Sequence, residues 1–101
     1  MKIRDAAAAA DLDDAPTYYR NIHPDFAEGL FREIIRAKHL MLQFPEAWKS
    51  LGGGLRGFIV RRYPYTIVYR IMDETILILA YAHHKRRRGY WRDRLKTDSG
   101  K

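Results

Sequence analysis

The stretch YAHHKRRRGYWRDRL, residues 81–95, gathers side chains whose types and spacing could do chemistry. Two histidines and four consecutive cations stand in front of Tyr90 and Trp91, directly after the apolar end of the run TILILAYA. Histidine exchanges a proton near neutral pH, and arginine binds phosphates and carboxylates through paired hydrogen bonds. Three interpretations are therefore open: a catalytic cluster, a binding surface for an acidic partner, or a solvated charge run, which is the usual role of such runs.

The net charge of +7 is unevenly distributed along the chain. Residues 1–50 carry seven Lys or Arg against eight Asp or Glu, whereas residues 51–101 carry twelve against four. A positive field of this kind raises the encounter rate with polyanions, either nucleic acid or an acidic protein segment. The second half of the chain is therefore expected to carry the interaction surface.

Length and composition narrow the class of protein. A chain of 101 residues that is 47% hydrophobic predicts one domain, which we place at residues 1–95 with a flexible tail at 96–101. The absence of cysteine excludes disulfides and thiolate zinc sites, and the four histidines are scattered, so we expect neither a metal nor a cofactor. No apolar run approaches the roughly 20 residues that cross a bilayer, and no signal peptide is recognisable. We expect a cytoplasmic protein without a membrane partner.

The first half of the chain predicts a helical hairpin. Asp5 is a suitable N-cap for a helix over residues 6–21, which Pro16 should kink. Pro24 suits the first turn of a second, longer helix that stops at Pro45. Apolar residues at helical spacing predict its buried face. The main row is Phe26, Leu30, Ile34, Ala37 and Met41, and the residues that widen it are Phe31, Ile35 and Leu42.

The second half changes to the pattern of strands. LRGFIVRRY, YTIVYRIM and TILILAYA are rich in β-branched and aromatic residues and predict a three-stranded antiparallel meander. The last of these runs is apolar on both faces, which predicts a central strand covered by the helices. KIR near the N-terminus predicts a short edge strand, and GGG at residues 52–54 a flexible lead into the sheet. The fold class is therefore α+β.

This order of elements resembles the RelE/ParE family of bacterial toxins from type II toxin–antitoxin modules, and most of all its ParE branch. The resemblance is carried by DLDDAPTYY, FPEAWKSLGGGLRGFIVRRYPYTIVYRI and AHHKRRRGYWRDRL, which follow one another in the family's order. It implies a helical hairpin packed on a curved antiparallel sheet. It also implies a toxin that is neutralised by a cognate antitoxin with an acidic tail.

The two branches of that family imply different activities. RelE-like members are ribosome-dependent endoribonucleases that cut mRNA, whereas ParE-like members inhibit DNA gyrase without a recognised hydrolytic site. The basic strand positions of the RelE-like branch fall here on Phe58, Val60 and Thr66, which are all uncharged. An endonuclease, the alternative to gyrase inhibition, would have to act through His83, His84, Arg86 and Tyr90.

We therefore interpret the opening stretch as a binding surface whose main contact with gyrase lies in residues 86–95. Arginine and aromatic residues are enriched at interface hot spots. Arg62 and Arg70 are predicted to share a sheet face that extends this surface. Trp91 has two alternative roles, an anchor for the segment or an exposed contact. The predicted target- or antitoxin-binding residues are Arg61, Arg62, Arg70, Arg86, Arg87, Arg88, Tyr90, Trp91, Arg92 and Arg94.

Overall fold

The computed structural model describes residues 1–6, 8–12 and 25–94, which form one helix and a five-stranded sheet. The elements are β1 (Lys2–Arg4), α1 (Phe26–Gln43), β2 (Lys49–Gly52), β3 (Leu55–Ile59), β4 (Tyr65–Met72) and β5 (Thr75–His83). The strand order is β1-β5-β4-β3-β2, with β1 parallel to β5 and the other pairs antiparallel. The predicted α+β class and the short N-terminal edge strand are confirmed. Among the described residues, no helix is long and apolar enough to cross a membrane.

Strand β5 is buried on both faces, as its continuous apolar sequence predicted. Ile76, Ile78 and Tyr81 contribute to the core on the α1 side of the sheet. Leu79 and Ala82 belong to smaller apolar clusters on the opposite face. The strand lies between β1 and β4, so neighbouring strands and side chains from both faces cover it.

Helix α1 packs on the sheet through one stripe of side chains. The buried positions include Leu30, Ile34, Ala37 and Met41, with Phe26 partly buried, and the helix ends at Gln43 just before Pro45. The prediction that further apolar residues widen the buried face is wrong. A single helix covers a sheet with a stripe only about 100° wide, so the flanking positions are left exposed: Phe31, Ile35 and Leu42.

The glycine run forms a tight hairpin and not a flexible lead into the sheet. Residues 52–54 all have positive φ, at 86°, 62° and 81°, a region that glycine enters without steric cost. The turn joins β3 to β2, a strand that the sequence pattern did not predict because KSLG has little β-branched character. The meander therefore has four strands. LRGFIVRRY also ends early, since β3 stops at Ile59 and the arginines that follow lie in the turn before β4.

Asp5 joins the N-terminal segment to the core and does not cap a helix through its side chain. The carboxylate accepts hydrogen bonds from the Tyr81 hydroxyl and from Lys38 Nζ, the latter at 3.2 Å. These contacts, chiefly the Tyr81 hydrogen bond, lower the pKa of Asp5. The main-chain carbonyl of Asp5 accepts from Ala8 and Ala9, so a helical turn begins there. The remainder of the first predicted helix, residues 13–21 with its kink at Pro16, lies outside the described ranges.

Gly29 provides a test of how α1 sits on the sheet. A Cβ added there would overlap the Tyr63 hydroxyl, whose ring packs edge-on against Phe26 at 5.1 Å. We expect Gly29→Ala to destabilise the protein, because overpacking costs about 1–3 kcal/mol and outweighs the roughly 1 kcal/mol that alanine gains over glycine in a helix. In a Tyr63→Ala background the same change should stabilise by about 1 kcal/mol. Urea unfolding of the four proteins measures both signs, and equal effects in the two backgrounds would contradict the packing described.

Candidate functional site

An open groove lies on the sheet face opposite α1. It measures about 490 Å³, which is within the range of ligand sites. Strands β2, β4 and β5 form its floor and one wall, and the chain after β5 forms the other wall. The lining residues are Lys49, Leu51, Thr66, Val68, Ala82, His83, His84, Arg86, Arg87, Arg88, Tyr90, Trp91 and Arg92.

The C-terminal segment, defined here as residues 84–94, is a series of tight turns that folds back on the sheet. Main-chain hydrogen bonds close these turns, for example from Arg92 N–H to Gly89 carbonyl at 3.0 Å. Gly89 has a φ of 76°, and the Arg92 side chain crosses close above it. Tyr90 and Trp91 pack against the apolar cluster around Val68 on the groove face. Trp91 is therefore an anchor, the first of its two predicted roles.

A buried carboxylate fixes the end of this segment. The Asp11 side chain is only 3% exposed and accepts two hydrogen bonds from the Arg94 guanidinium, both at 2.9 Å. It also accepts from the Tyr81 main-chain N–H at 3.0 Å, while Arg94 donates to the Leu79 carbonyl at 2.7 Å. Paired, charge-assisted hydrogen bonds of this kind combine strength with fixed geometry. One carboxylate thus ties together the N-terminal segment, β5 and the C-terminal segment.

Two arginines from this region also surround Tyr90. The guanidinium carbons of Arg86 and Arg94 lie 3.8 and 5.2 Å from the centre of its ring, and Arg86 Nη1 lies 3.7 Å from Asp11 Oδ1. Burial, with the Asp11 charge second, raises the pKa of Tyr90 to about 12. The hydrogen bonds to Asp11 raise the pKa of Arg94. We call Asp11, Arg86, Tyr90 and Arg94 the Asp11 cluster. Its members are held against one another.

The two histidines are placed differently. His84 Nε2 is 2.9 Å from Thr66 Oγ1. The main-chain N–H of His84 donates to the Pro64 carbonyl. The His83 ring packs edge-on against Tyr65, with centroids 5.0 Å apart, and its Nδ1 accepts from the Lys85 N–H at 3.0 Å. Burial, with smaller contributions from the His84 and Lys85 charges, lowers the pKa of His83. His83 is thus largely neutral above its ordinary pKa of about 6.5.

Two of the three strand positions compared with the RelE-like branch belong to the core. Phe58 and Val60 are buried on the α1 side, so their side chains do not reach the groove. Thr66 does line it. The groove-side neighbours in β3 are Gly57 and Ile59, which pair with Val68 and Thr66 and are equally uncharged. The strand floor of the groove therefore offers polar contacts at Thr66 but no cations from β3.

The predicted arginine surface is only partly assembled. Arg62 has a φ of 69° and lies in the turn before β4 with Arg61, and neither lines the groove. Arg70 lies on the groove face but four residues along β4 from Thr66, about 13 Å away at 3.3 Å per residue. The prediction that Arg62 and Arg70 share a sheet face is therefore wrong, because Arg62 is not in a strand.

The groove gathers a different set of cations. Arg87, Arg88 and Arg92 are exposed and line it, and Arg94 is committed to Asp11. Lys49 lines the opposite wall from β2 and was not predicted, because β2 itself was not recognised. No sequence signal marked Asp11 as the partner of Arg94, since the two residues are 83 positions apart.

The family model described as ParE toxin of type II toxin-antitoxin system, parDE, matches residues 3–88. This chain belongs to the ParE toxin family. It is 34% identical over 74 residues to Toxin ParE2 of Mycobacterium tuberculosis in two strains, covering 72% of this chain and 70% of the relative. The solved structure named Chromosomal ParDE TA system from P. aeruginosa aligns with a TM-score of 0.67 at 24% identity, covering 81% of this chain and 91% of that one. The ParE-like toxin fold inferred from the sequence is confirmed.

Asp11 lies within residues 3–88, the range that the family model matches, and Arg94 lies beyond that range. The range that the family model matches ends at residue 88, just before Gly89 in the turns of the C-terminal segment. The residues that follow include Tyr90 and Trp91, which pack against the sheet, and Arg94, which bonds to Asp11. The groove is thus a ParE-like sheet face closed by a segment that extends beyond the matched part.

The Asp11 contact should hold the C-terminal segment in place. We expect Asp11→Asn to lower the free energy of unfolding by about 2–3 kcal/mol, somewhat less than for a fully buried pair because a quarter of the Arg94 side chain is exposed. Urea unfolding measures this loss. Glu46→Gln removes an exposed carboxylate and should stay within about 0.5 kcal/mol of the parent. Arg94→Gln combined with Asp11→Asn should cost less than the sum of the single changes, and simple additivity would contradict direct coupling.

Proposed function

We propose that this ParE-family toxin stops growth by binding DNA gyrase and stabilising its cleavage complex, and that a cognate antitoxin neutralises it. The observation that carries the proposal is the rigid mounting of exposed arginines. Arg87, Arg88 and Arg92 project from turns that Asp11 and the aromatic anchor hold against the sheet. A preorganised surface loses little side-chain and loop entropy on binding, which favours a tight protein interface.

The geometry of the groove supports binding more than catalysis. Phosphoryl transfer to an RNA hydroxyl needs a base and an acid on opposite sides of one phosphate. Tyr90, with its pKa raised to about 12, stays protonated at neutral pH, and Arg86 lies over its ring and beside Asp11. The His83 ring packs on Tyr65, while His84 is bound to Thr66. All four residues line the groove, and each is already engaged by neighbouring groups: Arg86 and Tyr90 within the Asp11 cluster, His83 with Tyr65 and His84 with Thr66.

A ribosome-dependent mRNA endonuclease is the second candidate function. The observation that favours it is the His84–Thr66 hydrogen bond at 2.9 Å, which places an imidazole in a cationic groove. That imidazole could act as a general acid or base if RNA displaced Thr66. The two candidates differ in their target, and hence in the assay that detects them.

In this proposal some of the predicted contact residues have structural roles instead. Trp91 supports the segment from beneath, and Arg94 fixes its end. The exposed arginines then become the main contacts with the cleavage complex of gyrase and DNA, and they are also available to an acidic antitoxin tail. A loss of toxicity in Trp91→Ala would therefore report mainly on the anchoring of the segment.

Purified gyrase and a translation extract distinguish the two candidates. The wild-type protein should cause gyrase-linked linear DNA to accumulate while translation proceeds. Arg87→Gln combined with Arg88→Gln should reduce that product tenfold or more, because each lost hot-spot contact costs about 1 kcal/mol or more and 1.4 kcal/mol is tenfold. Arg32→Gln combined with Arg36→Gln removes the same charge from α1 and serves as control. Inhibited translation with normal supercoiling would overturn the proposal in favour of the endonuclease.

Neutralisation has its own test in cells. A short open reading frame beside this gene should encode a DNA-binding N-terminus and an acidic tail, and its co-expression should restore growth that the toxin arrests. The purified pair should form a complex that weakens with salt, because the excess of positive charge lies in the second half of the toxin. Growth arrest that persists in the presence of a stable complex would show that the partner binds without neutralising.

A further inference from the structure

The groove is a cationic surface on two walls. Arg87, Arg88 and Arg92 lie on the side of the C-terminal segment, and Lys49 lies on β2. Within the described part of the chain, no carboxylate is among the residues that line the groove. Three strand spacings separate β2 from β5, which at 4.7–4.9 Å each amount to about 14 Å. A ligand that meets both sets of cations must therefore present negative charge to two sides of the groove.

Duplex DNA presents negative charge to two sides in every sequence, which an acidic peptide does not. The two phosphate rows that flank its major groove lie about 12 Å apart, and the duplex carries one negative charge per roughly 1.7 Å of its axis. An extended peptide advances about 3.3 Å per residue, and a single strand is only about 5 Å wide. It would therefore meet both walls only where acidic side chains point to both sides of it, whereas every duplex presents two rows of phosphates.

The aromatic residues of the groove are half-buried and already packed against protein groups, which leaves less of their faces open for base stacking. Arg86 covers Tyr90 at 3.8 Å, and Trp91 packs against both the sheet cluster and the edge of Tyr90, with ring centroids 5.7 Å apart. Single-strand binding proteins rely on open aromatic faces for that purpose. The free chemistry of the groove consists of cations that contact phosphate, which carries no sequence information.

We propose that this groove binds the sugar–phosphate backbone of duplex DNA without regard to sequence. The inference deepens the proposed function, on which its biological meaning rests, because the cleavage complex of gyrase contains duplex DNA. The toxin then touches both the enzyme and its DNA. Lys49, Arg87, Arg88 and Arg92 are the residues assigned to phosphate, and the Asp11 cluster positions the segment that carries three of them.

The salt dependence of binding tests the proposal with the full chain and without gyrase. Fluorescence anisotropy of two labelled duplexes of unrelated sequence should give equal affinities. The logarithm of the association constant should fall with the logarithm of salt concentration with a slope of about −4, since each neutralised phosphate contributes about −0.9. Arg87→Gln combined with Arg88→Gln should reduce the slope to about −2. Arg32→Gln combined with Arg36→Gln, the matched control on α1, should leave it unchanged.

Each other outcome has a definite meaning. Equal losses in the control and groove variants would overturn the assignment, because net charge alone would then explain binding. Tighter binding of a single strand, or of polyglutamate with the same dependence on Arg87 and Arg88, would overturn it in favour of RNA or an acidic protein. Circular dichroism confirms that each variant is folded. Absent DNA binding with intact gyrase poisoning removes this inference alone, whereas DNA binding without gyrase poisoning removes the proposed function alone.

Discussion

The contact between Asp11 and Arg94 is the interaction on which the candidate site depends. A carboxylate that is 3% exposed would be costly to bury alone, and here it receives two guanidinium hydrogen bonds and a main-chain N–H. Because the partners come from the two ends of the chain and from β5, the pair can form only after the sheet is in place. It therefore connects the completion of the fold to the placement of the groove's cationic wall.

The sheet explains why the pair lies where it does. β1 pairs with β5 only as far as Leu77, so the outer edge of the rest of β5 meets no strand among the described residues. A bulge at Leu79 shifts the register against β4. Asp11 and Arg94 then bond to the Tyr81 N–H and the Leu79 carbonyl on this edge. Polar side chains thus replace the missing strand, which protects an edge that would otherwise offer unpaired groups.

The charged surface has two separate roles that sequence composition does not distinguish. Arg86 and Arg94 lie over Tyr90 and beside Asp11, where they stabilise the segment, while about half of the Arg86 side chain (53%) stays exposed. Arg87, Arg88 and Arg92 remain exposed above the groove. The same residue type thus serves structure and recognition within nine positions. The ParE-like sheet supplies the floor, and residues beyond the matched range supply the anchor that holds the wall.

The sequence by itself determined the α+β class, the buried row of α1 and the central position of β5, since these follow from local periodicity, and its resemblance to a known family indicated the ParE-like branch. It did not predict β2, because KSLG lacks a strand pattern and pairs only through the hairpin at Gly52–Gly54. The sequence pattern also placed Arg62 on a sheet face, although it lies in a turn. It included Phe31, Ile35 and Leu42 in the buried face of α1, although they are exposed. The tertiary structure alone decided which arginines are free, which aromatic is an anchor and that Asp11 meets Arg94. Those outcomes depend on contacts between residues far apart in the chain, and such contacts leave no periodic signal in a single sequence.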